Sequence, residues 1–296
     1  MLHWRLLLGF LFIGALTLLF WFDIENRYPG LFLFPLALLI ALLAVGEIIQ
    51  LITFQDLQPV RWTVYVGTIM VVGATGVPHF WPEHSPNCPL GNLGWPLLAF
   101  VLAMMLAIAG EGMRFAPGRA SSTNLSLAIF AIFYIGILMS FVVQLRFVGG
   151  SEWNGLPLIA MLIVVKSCDI GAYTVGRLIG KHKLAPMLSP GKTIEGLVGG
   201  ILVAIAGSWF AFSVLPAWIA LNPSAVPLPW WWIVTFGLLV GSAGILGDLL
   251  ESMLKRCACC KDSSSWMPGF GGILDLLDSP LLAAPVAYLL WVICVP

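Results

Sequence analysis

Apolar runs of similar length, separated by short polar stretches, make up almost all of this chain. They fall at 5–22, 31–54, 62–80, 94–113, 124–147, 156–176, 195–220, 230–252 and 271–295. These lengths approach the roughly 20 residues that carry an α-helix across ~30 Å of hydrocarbon. Helices satisfy their own backbone polar groups and so can span lipid. The pattern predicts an all-α, polytopic membrane helix bundle of about nine transmembrane helices. The first run has the length of a signal-peptide core, but no A-x-A site follows it. Asp23-Ile24-Glu25-Asn26-Arg27 comes instead, which reads as a retained helix.

The polar positions between the runs sort by side. With the N-terminus in the cytoplasm, the inside stretches hold Arg5, Arg61, Arg114, Arg119, Arg177, Lys181, Lys183, Lys192, Lys255, Arg256 and Lys261. The outside stretches hold only Arg27 and Arg146, and Lys166 falls within a helix. Eleven cations against two is a strong positive-inside signal, which leaves the C-terminus external. Loops 177–194 and 253–270, the two most charged, then share the cytoplasmic side. The external stretch from His79 to Leu93, with Trp81, Glu83, His84 and Cys88, reads as a structured turn without chemistry. The chain divides into an N-terminal scaffold of lipid-facing helices, 1–155, and a C-terminal catalytic region, 156–296, that carries both loops.

Composition narrows the class further. With 60% hydrophobic and 9% charged residues and a mean hydropathy of +0.99, the chain is far from a soluble domain, where about a quarter of residues carry charge. Its formal net charge is zero, so no basic field points to nucleic acid. Cys257, Cys259 and Cys260 lie together, but no second ligand pair at fixed spacing accompanies them, and a metal centre of zinc type is not expected.

Three stretches concentrate the candidate chemistry. Lys166 and Asp169, three apart on one helix face, precede Gly171, Ala172 and Tyr173, small residues that let a backbone or ligand approach the carboxylate. Ser189-Pro190-Gly191-Lys192-Thr193 runs straight into an apolar helix, so hydroxyls, a lysine and free N–H groups converge at a helix N-terminus. The structural alternative is a turn capped by Thr193 or Ser189. The third stretch, Gly247 to Ser279, holds eight of the 28 charged residues. Asp248 and Glu251 share one face at the end of a helix, with Lys255 a turn later, and Asp275 and Asp278 share a face at the start of the next. Four carboxylates there need a counter-charge, and hard oxygen donors suit Mg²⁺. Lys255, Arg256 and Lys261 are suited to phosphates. An ion-pair cluster without chemistry explains the basic residues but not the two aspartates that open a hydrophobic helix. Together the pattern points to phosphoryl or nucleotidyl transfer onto a lipid at the cytoplasmic face. A transporter would place its charges at the bilayer midplane in repeat-related helices, and no repeat is evident.

These residues resemble the phosphatidate cytidylyltransferases, also called CDP-diacylglycerol synthases. The family signature runs Ser, any, aliphatic, Lys-Arg, four residues, Lys-Asp, a Pro-containing turn, His-Gly-Gly, then Asp-Arg and a further Asp. The chain has Ser252, Leu254, Lys255-Arg256, Lys261-Asp262, Pro268, Gly271-Gly272, Asp275 and Asp278 at that spacing. Asp169-Ile170-Gly171-Ala172-Tyr173, Val175-Gly176-Arg177, Gly180 to Pro186 and Ser189 to Gly196 also look like that family. The likeness covers 166–280; before that it extends to hydropathy, Glu47 and Tyr134-Ile135-Gly136. Phe270 stands where the signature has His and Leu276 where it has Arg, so roles of those two groups do not carry over.

The resemblance implies an integral protein of a bacterial inner membrane, with its active site on the cytoplasmic side. It would convert CTP and phosphatidic acid to CDP-diacylglycerol and pyrophosphate. Asp248 and Asp275 would be the first Mg²⁺ ligands, with Asp278, Asp169 and Glu251 as alternates. Lys255, Arg256, Lys261, Lys192, Ser189, Thr193 and Tyr173 would hold the phosphates of CTP or of the lipid. Expected partners are CTP, phosphatidic acid, membrane lipids and a second copy of the chain as a homodimer, and no nucleic acid. The alternatives are another lipid phosphate as acceptor and a catalytically silent paralogue that binds CTP or lipid.

Overall fold

A computed structural model describes residues 14–24, 26, 28–53, 57–81, 88–218, 228–260, 263–264 and 271–294. Lys261, Asp262, Pro268 and Phe270 of the signature, Glu83 and His84 of the external stretch, and residues 1–13 lie outside the described residues. The main helices, in order, are α1 Gly14–Ile24, α2 Leu33–Thr53, α3 Arg61–Thr75, α4 Gly91–Met113, α5 Ser121–Phe147, α6 Leu156–Ile179, α7 Ile194–Val214, α8 Trp230–Cys257 and α9 Ile273–Cys294. Among the described residues, seven of these, α2 and α4 to α9, are long and apolar enough to cross a membrane. The third, at 15 residues, is followed directly after Gly76 by a further helical turn, Val77–Phe80. The protein is thus a polytopic, essentially all-helical membrane protein. Among the described residues the exception is an antiparallel hairpin, β1 Lys183–Ala185 and β2 Ser189–Thr193, in the stretch read from sequence as a loop.

The chain forms two compact units. The first comprises Met1–Gln144 with Cys257–Leu276, the second Leu145–Arg256 with Leu277–Pro296. Cys257–Leu276 thus packs with the first unit although it follows most of the second in sequence. Glu47 gives the reason: its carboxylate on α2 accepts hydrogen bonds from Ile273 N at 3.0 Å, Leu274 N at 2.8 Å and Ser263 Oγ at 2.9 Å.

In the first unit α3 meets α4 through small residues. A Cβ placed on Gly67 would come within 3.0 Å of Ala103 Cβ, and one on Gly110 within 2.7 Å of Thr63 Cγ2. Lipid tails are as apolar as Leu, so such helices associate by close packing, and small residues permit it. Buried carboxylates here serve backbone N–H groups that have no partner of their own. Asp23 accepts from Gly30, Phe32 and Leu33 at 3.0–3.3 Å, and Glu111 from Val60 N at 2.9 Å, with Arg119 3.7 Å from its other oxygen. The first four N–H groups of any helix need such acceptors.

The second unit is built on glycine contacts. A Cβ on Gly171 of α6 would meet Val203 Cβ at 2.7 Å, and one on Gly200 of α7 the Cys168 carbonyl at 3.0 Å. Gly237 of α8 would meet Ile205 Cα at 2.6 Å. Thr193 caps α7, its Oγ1 accepting from Gly196 N at 3.1 Å, which is the structural alternative set out for that stretch. Glu195 in the first turn accepts from Lys181 N and His182 N at 3.1 and 3.2 Å and lies 2.6 Å from His182 Nδ1. These bonds fasten the hairpin to the helix end. At the other end Trp232, Trp291, Phe212, Phe236 and Trp153 form an aromatic cluster with centroids 5.0–5.7 Å apart.

Two glycines separate packing from propensity. Gly237→Ala drives a methyl into the α7 backbone and lowers stability by about 1–3 kcal/mol. Gly73→Ala, on α3 where a Cβ meets nothing within 4 Å, raises it by about 0.5–1 kcal/mol. Thermal unfolding of the two variants in detergent checks both signs.

Candidate active site

In the second unit α8 and α9 come close enough that a Cβ on Gly247 would run into the carbonyl oxygen of Asp278. The absence of a side chain at Gly247 lets the next residue, Asp248, and its turn-mate Glu251 reach Asp278. One oxygen from each of Asp248, Glu251 and Asp278 lies within 4.8 Å of the others. Glu251 is fully buried and Asp278 is 9% exposed. Two negative charges at that separation repel by about 3 kcal/mol even at an effective dielectric of about 20, so the group needs cations.

Two lysines supply them. Lys255 Nζ lies 2.5 Å from Glu251 Oε2, one turn on along α8. Lys192 Nζ, from β2, lies 2.6 Å from Asp248 Oδ2. The hairpin therefore serves the site directly, carrying Lys192 to the carboxylate end of α8. Arg256 Nε donates to the Leu188 carbonyl at 3.3 Å, which ties α8 back to the hairpin. Asp169 pairs with Lys166 at 3.0 Å and also feels the charges of Asp248 and Lys192.

The structure thus brings Asp248, Glu251, Asp278, Lys192 and Lys255 together, with Asp169 nearby. Three carboxylates there face two lysines. All-oxygen donors at this spacing fit Mg²⁺ or another hard divalent cation. Ser189 lies on β2 opposite Ala185, and the Thr193 hydroxyl is occupied as a helix cap. Tyr173 is exposed on α6, its hydroxyl accepting from Arg177 Nη1 at 2.9 Å. Lys261 lies outside the described residues.

Asp275 belongs to the first unit. Its Oδ2 accepts from Ser263 N at 3.1 Å and Gly272 N at 2.7 Å, and lies 2.7 Å from Ser263 Oγ. Gly271 supports the turn with φ +81°, a conformation that favours glycine. Ser263 and the anchoring role of Glu195 escaped the sequence reading. An acid in a first helical turn is a recognisable signal. Ser263 carries none, because its partner Glu47 is 216 residues away.

The model of the cytidylyltransferase family matches residues 3–294. The chain is similar to the phosphatidate cytidylyltransferase of Synechocystis sp., 30% identical over 289 residues, which is 87% of each chain. It is similar to that of Staphylococcus aureus, 31% identical over 265 residues, 88% of this chain and 90% of the relative. With that of Chlamydia muridarum it shares 38% identity over 213 residues, 70% of this chain and 64% of the relative.

Removing Lys255 leaves Glu251 buried beside two other carboxylates. Lys255→Met costs about 3–5 kcal/mol, and the Glu251→Gln, Lys255→Met pair recovers most of it. A pair no more stable than Lys255→Met alone, by thermal unfolding, would show that the ion pair is not what stabilises this helix end.

Proposed function

The chain belongs to the cytidylyltransferase family, and we propose that it acts as a CTP:phosphatidate cytidylyltransferase, making CDP-diacylglycerol and pyrophosphate for phospholipid synthesis. The observation that carries this reading is the trio Asp248, Glu251 and Asp278 bracketed by Lys192 and Lys255. In a family of nucleotidyltransferases it supplies both kinds of charge that the reaction needs. A phosphate oxygen of phosphatidate attacks the α-phosphorus of CTP. The bond from that phosphorus to the bridging oxygen breaks, and pyrophosphate leaves with the electron pair. The lipid phosphate is itself the nucleophile, so the protein needs no nucleophilic side chain. Its work is positioning and charge neutralisation.

Lys192, Lys255, Arg256 and Lys261 receive phosphates in this reading. The first two now neutralise Asp248 and Glu251, so incoming phosphates exchange one anionic partner for another and leave no lysine unpaired. Asp248, Glu251 and Asp278 would hold Mg²⁺, with Asp169 as a further ligand, and Asp275 in the first unit is likewise proposed as a Mg²⁺ ligand. Bound there, Mg²⁺ would neutralise negative charge on the phosphate oxygens and the departing pyrophosphate. Ser189, Thr193 and Tyr173 lie on the hairpin and on α6, around Lys192 and Asp169.

The finer topology is nine spans, N-terminus in the cytoplasm and C-terminus outside, in a bacterial inner membrane with the site on the cytoplasmic side. The distribution of Lys and Arg supports it.

Two experiments test these readings. Purified protein in detergent micelles, given labelled CTP and phosphatidate, forms CDP-diacylglycerol only with Mg²⁺, and Asp248→Asn and Asp275→Asn each reduce turnover by at least about 100-fold. A folded wild-type protein that binds CTP without forming product would point to another lipid phosphate or to a silent paralogue. For the topology, exposed Cys257 and Cys259 react with an impermeant maleimide only after permeabilisation of intact cells, whereas Cys88 reacts without it. The opposite pattern refutes the orientation.

A further inference from the structure

Glu47 is a carboxylate inside a membrane-spanning helix, 4% exposed, and the transfer reaction as described above leaves it unused. Such a group is costly and calls for an explanation. Both of its oxygens reach the start of α9: Oε1 accepts from Ile273 N, and Oε2 accepts from Leu274 N and lies 2.9 Å from Ser263 Oγ. The same hydroxyl lies 2.7 Å from Asp275 Oδ2, which also accepts from Ser263 N and Gly272 N. Ser263 is 3% exposed. Four backbone N–H groups and one hydroxyl thus converge on two carboxylates at the start of α9, where the helix dipole also favours negative charge. A hydroxyl has one proton, so Ser263 donates to one of the carboxylates at a time. Gly272 completes the arrangement, because a Cβ there would collide with Glu47 Oε2 and Ser263 Oγ.

We propose that Glu47 and Ser263 are positioning residues for Asp275: Glu47 fixes the first turn of α9 and the Ser263 hydroxyl, which together fix the orientation of the Asp275 carboxylate. This rests on the ligand role given to Asp275 above. A helix cap alone would be met by one carboxylate. Here the chain buries a second, from a helix more than 200 residues away in sequence, against the same serine. Groups that orient a metal ligand in this way change metal affinity by about 10–100-fold when removed.

The test uses the full chain in detergent, comparing wild type with Ser263→Ala, Ser263→Thr, Glu47→Gln and the Glu47→Gln, Ser263→Ala pair. Mn²⁺ affinity is measured by electron paramagnetic resonance without nucleotide, and half-saturating Mg²⁺, kcat and the KM for phosphatidate by turnover. Ser263→Ala and Glu47→Gln each weaken Mn²⁺ binding about 10-fold or more and raise half-saturating Mg²⁺ alike. KM for phosphatidate stays unchanged, and Ser263→Thr stays near wild type. The pair is no worse than about the poorer single variant, because both act through one chain of contacts. A purely structural role would lower the yield of folded protein and leave metal affinity in the folded fraction unchanged, which overturns the proposal. So would a wild type that binds no Mn²⁺. If Glu47→Gln does not fold, Ser263→Ala carries the test, since it leaves all four backbone bonds in place. A wild type inactive on CTP and phosphatidate, whose variants nonetheless lose Mn²⁺ affinity, would sink the assigned reaction and leave this proposal standing.

Discussion

A carboxylate that is kept ionised inside an apolar helix bundle must be met by a cation or by backbone N–H groups. The arrangement of charge in this protein follows from that constraint. Glu251 has no exposure at all, and its charge is answered by Lys255 on the next turn of the same helix. Asp248 is answered by Lys192, and Asp169 by Lys166. In the first unit the answer is different: Asp23, Glu47 and Glu111 each accept from peptide N–H groups. Lysine partners can be exchanged for phosphates or a metal, whereas backbone partners cannot leave. The division separates carboxylates whose partners a substrate can displace from those whose partners hold them in place.

Close approach of helices is the second requirement. With no hydrophobic drive between helices in lipid, the bundle relies on small residues to gain contact. Gly247 is the position where packing and chemistry coincide. A side chain there would strike the Asp278 carbonyl and separate the carboxylates on α8 from the one on α9. Gly171, Gly200 and Gly237 do the same work deeper in the second unit without touching charge. The hairpin between α6 and α7 is the remaining part, a short rigid arm that delivers Lys192 and is fastened by Glu195 and the Thr193 cap.

Much of this was readable along the chain because it is local. Apolar run length follows from bilayer thickness, so the order and approximate extent of the helices came directly from hydropathy. Asp248 with Glu251, and Lys255 with Glu251, are pairs within one or two turns, and helical spacing alone places them on one face. The lysines and carboxylates of the signature could be matched residue by residue for the same reason. The hairpin escaped this reading because five residues of Ser, Pro, Gly, Lys and Thr carry no strand periodicity. Their pairing is fixed by contact with β1 and the end of α7.

Membrane class, the order of helices and the residue types able to hold a metal and phosphates are written in the primary structure, since these depend on composition and on spacings of a few residues. Tertiary structure alone decided which carboxylates meet. Asp278 joins Asp248 and Glu251 because two helices touch at a glycine. Glu47 reaches Ser263 and the start of α9 across more than 200 residues of chain. Contacts of that kind leave no periodic trace in a single sequence, because the partners are chosen by where helices pack and not by their distance along the chain.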